Sequence, residues 1–212
     1  MTDFAHMLSG YRRFRETGWQ QQRARWSELN EGQAPGVMIV ACSDSRVDPS
    51  QIFDTSPGEI FVVRNVAALV PPFETTPGHH GVSAALEFAV QVLKVGEIVV
   101  MGHGSCGGCN AALSGALKDQ PPGQGGFIAD WIELLDDARS RVVSVHSDIA
   151  TPQAQRAMEE EGVRTSLANL RTFPCVREKE RSGELKLVGA FFAISDGILH
   201  VLDESTGDFT AA

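Results

Sequence analysis

Three short apolar runs constrain this chain more than any other feature: residues 36–41 (GVMIVA), 59–63 (EIFVV) and 97–101 (EIVVM). None shows the polar alternation of a half-solvated strand, and each is too short for a core helix. Such runs suit strands buried on both faces of a parallel sheet. Parallel strands need crossovers, and the sequence between the later runs supplies one. Residues 78–95 place Val82, Ala85, Leu86, Ala89 and Leu93 on one stripe, with Gly96 as the expected C-cap. Further helices are expected near 107–117, 127–147 and 152–172, the last with Pro152 following Thr151 at its start. Residues 185–193 and 198–202 read as a late strand pair around Ser195-Asp196-Gly197. The expected fold class is α/β, a mostly parallel central sheet flanked by helices, in one domain spanning 1–212. Residues 1–30 form an amphipathic helical arm carrying Phe4, Met7, Leu8, Tyr11 and Phe14.

Composition removes several function classes. The formal charge is 18 − 27 = −9 with no basic run, which argues against nucleic acid as a partner. No stretch approaches the roughly 18 apolar residues of a membrane span. The first residues lack the basic start and apolar stretch of a secretory leader, so a cytoplasmic location is expected. In that setting Cys42, Cys106, Cys109 and Cys175 point to metal or redox chemistry rather than disulfides, although their spacing alone permits two bridges.

Two of the expected strands end in polar clusters, where open α/β sheets collect their chemistry. The first is Cys42-Ser43-Asp44-Ser45-Arg46. The second is His103-Gly104-Ser105-Cys106-Gly107-Gly108, about sixty residues downstream. Each supplies two residues of the kinds that zinc takes: Cys42 with Asp44, and His103 with Cys106. In an extended chain Cys42, Asp44 and Arg46 share a side. Arg46 then competes with the metal for Asp44. If Arg46 holds the carboxylate, three protein ligands leave an open position for water; if the metal takes it, the site is closed. Gly107 and Gly108 are expected to open a helix whose free amides favour a thiolate at Cys106 or an anion nearby.

These two clusters, in this order and at this separation, resemble the signature motifs of the β-class carbonic anhydrases. The resemblance extends through Pro57-Gly58-Glu59 to Val70, residues 85–90 (ALEFAV) and 166–170 (SLANL). It implies Zn2+ bound by Cys42, His103 and Cys106, with Asp44 as a further ligand in one state, and an Asp44–Arg46 dyad. It implies reversible hydration of carbon dioxide to bicarbonate and a proton by zinc-bound hydroxide. Gln33, Phe61, Val66, Phe88 and Gly107 would bind substrate. The pocket would be shared between two subunits of a homodimer or higher homo-oligomer, with Gln33 from the neighbour and the arm packed on it. His79 and His80 are either a helix-start pair or proton carriers. Three departures stand out. Phe88 lacks the hydroxyl of the tyrosine common in relatives, and Gly104 replaces a common serine. Ile39 and Phe192 replace the tryptophan and tyrosine that accompany an arginine (here Arg64) in the inhibitory bicarbonate site of some bacterial members.

Other readings stay open on the sequence. A non-catalytic zinc protein would keep Asp44 on the metal. The same scaffold hydrolyses carbonyl sulfide or carbon disulfide in some relatives. Cys106-Gly-Gly-Cys109 also fits a C-x-x-C redox pair, although as a helix residue Cys109 suits packing. Arg64 is expected to hold a carboxylate at a subunit interface, Trp131 to pack, and the Glu159-Glu160-Glu161 run to form a solvated helix face.

Overall fold

The structure, a computed structural model, describes residues 2–212. Helices α1 (Phe4–Glu16), α2 (Gly18–Gln21) and α3 (Arg23–Glu31) form the arm, and none of their described residues is buried. Asp3 starts α1 by accepting the His6 amide hydrogen, as an N-cap does. The chain then enters strand β1 (Val37–Cys42), helix α4 (Pro49–Ile52) and strand β2 (Ile60–Asn65). Helix α5 (Gly81–Glu87) widens into a π-helical stretch, Phe88–Leu93, before strand β3 (Glu97–His103). Helices α6 (Gly107–Ser114), α7 (Gly126–Ile132), α8 (Asp136–Val145), α9 (Pro152–Leu170) and α10 (Pro174–Ser182) follow. Strands β4 (Lys186–Ala193), β5 (Ile198–Asp203) and β6 (Asp208–Ala211) complete the chain.

The six strands form one sheet in the order β2-β1-β3-β4-β5-β6. β2, β1, β3 and β4 run parallel, and β5 and β6 add an antiparallel edge. The late hairpin and the parallel centre match the sequence expectation. One expectation fails: the 59–63 run is an edge strand, not one buried on both faces. Its residues are mostly half-buried and Val62 is 38% exposed. β1 and β3, with neighbours on both sides, carry the fully buried runs.

One face of the sheet holds the main core. Met38 and Val40 of β1 and Ile98 and Val100 of β3 pack with Leu86, Ala89 and Val90 of the α5 segment and with Val163, Leu167 and Leu170 of α9. The opposite face is thinner. Among the described residues, Ile39, Ala41, Met101 and Ala190 form its buried cluster, with Phe53, Phe192 and Leu199 half-buried beside them. Large apolar side chains remain exposed: Phe4, Met7, Tyr11 and Phe14 of α1, and Phe73, Phe88 and Val92. The α5 segment also ends differently from expectation. Lys94, not Gly96, takes the left-handed conformation that stops it (φ 58°), and Gly96 instead donates to the Gly36 carbonyl at the head of β1 (2.9 Å). Among the described residues, no helix is long and apolar enough to cross a membrane.

Candidate metal centre

β1 and β3 are direct neighbours, with Ala41 opposite Met101, so Cys42 and His103 leave the sheet side by side at its carboxyl edge. Cys106 follows after a tight turn as the residue just before α6. The two sulfurs and one ring nitrogen of Cys42, His103 and Cys106 all lie within 4.8 Å of one another, and all three residues are buried. His103 Nδ1 lies 2.9 Å from the Gly104 carbonyl oxygen, which can only accept. The proton therefore sits on Nδ1 and the lone pair on Nε2, the arrangement of a metal-ligating histidine. Nε2 is buried and has no partner of hydrogen-bond geometry. A buried polar atom left this way is costly unless something binds it. Two thiols and one imidazole lone pair suit a thiophilic divalent ion such as zinc.

Both thiols lie high in the apoprotein. Contact with the Cys106 sulfur, then burial, pushes Cys42 up to about 12; the Cys109 thiol is the main cause that pushes Cys106 up to about 12. The ordinary value is 9.0. A raised thiol stabilises the fold fully below that ordinary value and loses its contribution as pH climbs through the folded one. Metal-free protein is therefore expected to lose melting temperature steadily between pH 9 and about 12. A double variant, Cys42→Ser with Cys106→Ser, should show a shallower fall in the same scan.

Asp44 stands beside this cluster but outside it. Arg46 donates from Nε to Asp44 Oδ1 (2.9 Å) and from Nη2 to Oδ2 (2.7 Å), a bidentate fork. The Arg46 guanidinium holds the Asp44 carboxyl well below the usual carboxylate range. Arg46 Nη2 also donates to the Ser105 carbonyl (3.0 Å). Ser105 has φ +56°, a left-handed conformation that costs a non-glycine residue roughly 1 kcal/mol. One arginine thus ties the loop after β1 to the strained loop after β3.

The structure divides the other expected site residues. Gly107 adjoins Cys106, and Val66 sits against the same region: a Cβ on Gly108 would meet Val66 Cγ1 at 2.7 Å and Ala67 Cβ at 3.0 Å. Gln33, Phe61 and Phe88 are not brought to this cluster. Gln33 is exposed before β1, whose six residues, at about 3.3 Å each, put it roughly 20 Å from Cys42. Phe61 pairs in register with Met38, also toward the amino end of β1, and its ring lies 5.9 Å from that of Phe88, which is 42% exposed. Gly108→Ala is accordingly expected to displace Val66, lower activity several-fold and cost about 1–3 kcal/mol in denaturant unfolding.

Around this centre several residues make contacts that a sequence reading does not give. Arg64 holds a carboxylate of its own chain: it donates to Asp48 Oδ2 (3.0 Å), and also to the Cys42 carbonyl (2.9 Å) and the Asp44 carbonyl (2.6 Å), bracing the loop after β1 from within. Ile39 and Phe192 share the apolar cluster of the thinner face. Asn65 accepts from the Leu69 amide and donates to the Leu69 carbonyl, both at 2.8 Å. It thereby closes the turn Val66–Ala68, in which Ala67 and Ala68 both have positive φ. Trp131 does more than pack: its indole N–H donates to the Val66 carbonyl (2.9 Å). Cys109 is buried in the cluster beneath α6. His80 precedes α5, contacts the Thr76 carbonyl and pairs with Glu74, which makes it a helix-start residue. Glu159 corrects the view of the Glu159-Glu160-Glu161 run as wholly solvated, because it is only 3% exposed. Three successive helix residues sweep about 200° around the axis, so a run of charges cannot keep to one face.

An open, mostly parallel sheet with a Cys-His-Cys cluster at the carboxyl ends of two adjacent central strands defines a metalloenzyme-type α/β domain. The carbonic anhydrase family model matches residues 37–199. A carbonic anhydrase of Pseudomonas aeruginosa is 37% identical over 205 residues, 97% of this chain and 90% of that protein. The solved β-carbonic anhydrase CcaA superposes with a TM-score of 0.91 at 30% identity, covering 99% of this chain and 92% of the other. One of two tetrameric β-carbonic anhydrases from Sordaria macrospora gives 0.80 at 30% identity and 98% coverage of both chains. The chain belongs to the carbonic anhydrase family, in its β class, and is a carbonate dehydratase.

Proposed function

We propose that Cys42, His103 and Cys106 hold a zinc ion, and that the protein uses it to hydrate carbon dioxide reversibly at neutral pH. The observation that carries this reading is the grouping of two thiols with an unpartnered His103 Nε2 whose lone pair is free because the proton sits on Nδ1, while Asp44 is occupied by Arg46. Zinc there would lower the pKa of bound water to about 7, supplying a nucleophile at neutral pH. Held by the Arg46 fork, Asp44 keeps an ionised carboxylate beside the cluster, able to accept a hydrogen bond and orient an attacking water. Val66 and the Gly107 backbone form the apolar and amide sides of the substrate space.

The remaining wall comes from a second copy of the chain. The partner subunit's Gln33, the partner subunit's Phe61 and the partner subunit's Phe88 would complete the pocket. Their remoteness from the cluster of their own chain and the exposed aromatics of α1 and the α5 segment support this arrangement. A homodimer is then the smallest active unit, with the arm of α1, α2 and α3 laid over the neighbour.

Stopped-flow carbon dioxide hydration from about pH 6.5 to 9, on protein of measured zinc content, tests the proposal. Zinc-dependent turnover at neutral pH supports it. Fully zinc-loaded protein that is inactive at neutral pH would refute the open site, and protein that binds no zinc would refute the metal assignment.

A further inference from the structure

Described charged residues are seldom buried in this chain, and the one buried carboxylate lies against a ligand. Glu159 of α9 accepts the Cys106 amide hydrogen at Oε1 (2.9 Å). Gln155, one turn earlier on the same helix, donates from Nε2 to Glu159 Oε1 (2.8 Å) and to the Cys106 carbonyl (3.3 Å). The pair at i and i+4 thus takes hold of both polar groups of a single residue, its N–H and its C=O. Cys106 has φ −72° and ψ 120°, an extended conformation just before α6. Fixing both flanking peptides fixes that conformation, and with it the direction of the Cα–Cβ bond that carries the sulfur.

We propose that Gln155 and Glu159 are positioning residues, a two-pronged clamp from α9 that aims the Cys106 thiol at the metal. This rests on the reading of Cys106 as a zinc ligand. Two features make the clamp more than a helix cap. First, an apolar residue at 159 would satisfy the core equally well, yet a carboxylate is buried there beside Met158 and Val163. Its retention needs a compensating contact, and the Cys106 amide with the Gln155 amide supplies it. Second, the loop it grips is the strained one. Ser105 is left-handed, Arg46 holds its carbonyl, and α9 holds the next residue. The loop from His103 to Cys106 is therefore anchored at two successive residues by two separate elements. The same α9 side chains, with Arg156 and the Gly104–Gly107 backbone, line a cavity of about 580 Å³ that includes neither Cys42 nor Asp44. The clamp works from behind the ligand loop, apart from the Asp44–Arg46 dyad.

The test is zinc release from the zinc-loaded protein to an excess of chromogenic chelator. Glu159→Ala and Gln155→Ala should release zinc about 10- to 100-fold and several-fold faster than the parent, respectively. Glu159→Gln keeps an oxygen acceptor for the Cys106 amide and should restore most of the lost retention. Leu170→Ala, which opens a cavity elsewhere in α9 and destabilises the fold without touching the clamp, should leave release within about twofold. In the cobalt(II)-substituted protein, Glu159→Ala should change the sulfur-to-cobalt charge-transfer band while Leu170→Ala leaves it in place. Should Glu159→Ala not fold, Gln155→Ala carries the same test, since Gln155 is only half-buried. Release and spectrum unchanged in the clamp variants, or equally altered in Leu170→Ala, would overturn the proposal. Amide hydrogen exchange at Cys106 in the metal-free protein reads the clamp separately. It should accelerate in Glu159→Ala even if the parent proved not to bind zinc, an outcome that would defeat the metal assignment alone; unchanged exchange overturns the clamp.

Discussion

Arg46→Ala should keep one zinc per chain and lose at least about 100-fold in carbon dioxide hydration at pH 7–8, the scale on which preorganised polar groups act in enzyme sites. The reasoning runs through two contacts. The guanidinium fork occupies both oxygens of Asp44, and the same Nη2 supports the left-handed Ser105 between His103 and Cys106. Without it Asp44 is a free carboxylate beside two thiols and an imidazole, able to take the fourth place on a bound zinc and exclude water. The ligands themselves are untouched, so metal content should persist while turnover collapses. Arg46→Lys should recover little, because an ammonium cannot form the fork. The pH profile adds a sign. Arg46 depresses the Asp44 pKa, so the stability the pair contributes is present above the ordinary value of 3.8 and is lost only as pH falls through the lower folded value. Protonation of Asp44 therefore cannot explain any loss of activity of the parent near neutrality. Zinc content by atomic absorption beside stopped-flow rates checks both halves. An active Arg46→Ala protein would remove the dyad from the mechanism.

The second large effect follows from the proposal that the site is shared between two chains. Gln33→Ala and Asp44→Asn should each be nearly inactive as homodimers. Co-expressed, or unfolded together and refolded, they should regain activity, because a mixed dimer contains one site with Asp44 intact and the partner subunit's Gln33 intact. With random pairing half the dimers are mixed and one of their two sites is whole, so recovery should approach about a quarter of the parent activity. A site complete within one chain gives no recovery at all. Activity of the parent should also fall on dilution below the dimer dissociation constant.

Much of this was legible in residues. The uninterrupted runs in β1 and β3 announced central strands because both faces of those strands are covered, and the two polar clusters at their ends followed from strand direction. β2 carries a similar run and misled, since an apolar edge strand looks central until its neighbours are counted. Gln33, Phe61 and Phe88 could be named as pocket residues by resemblance, but only register shows Phe61 opposite Met38, at the wrong end of the sheet for its own chain's Cys-His-Cys cluster. Glu159 was hidden inside a run of three acids, because composition records charge and not the angle at which each residue leaves a helix. Asn65, Trp131 and Arg64 act through backbone carbonyls, and a carbonyl is the same in every residue, so no spacing in the sequence marks their targets.

The side-by-side exit of Cys42 and His103 from β1 and β3 has a bearing on how the protein comes to be made. A chain emerging from the ribosome presents Cys42 long before His103 and Cys106 exist, and β1 cannot acquire its inner neighbour until residue 103 is out. An ion at the proposed centre could be captured only after that long-range pairing has formed, and it would then fasten two segments about sixty residues apart, much as a crosslink shortens a large loop. Metal uptake would then fall late in biogenesis. A chain that mispaired its first strands would lack the site, and one that held the ion would already have settled the centre of the sheet.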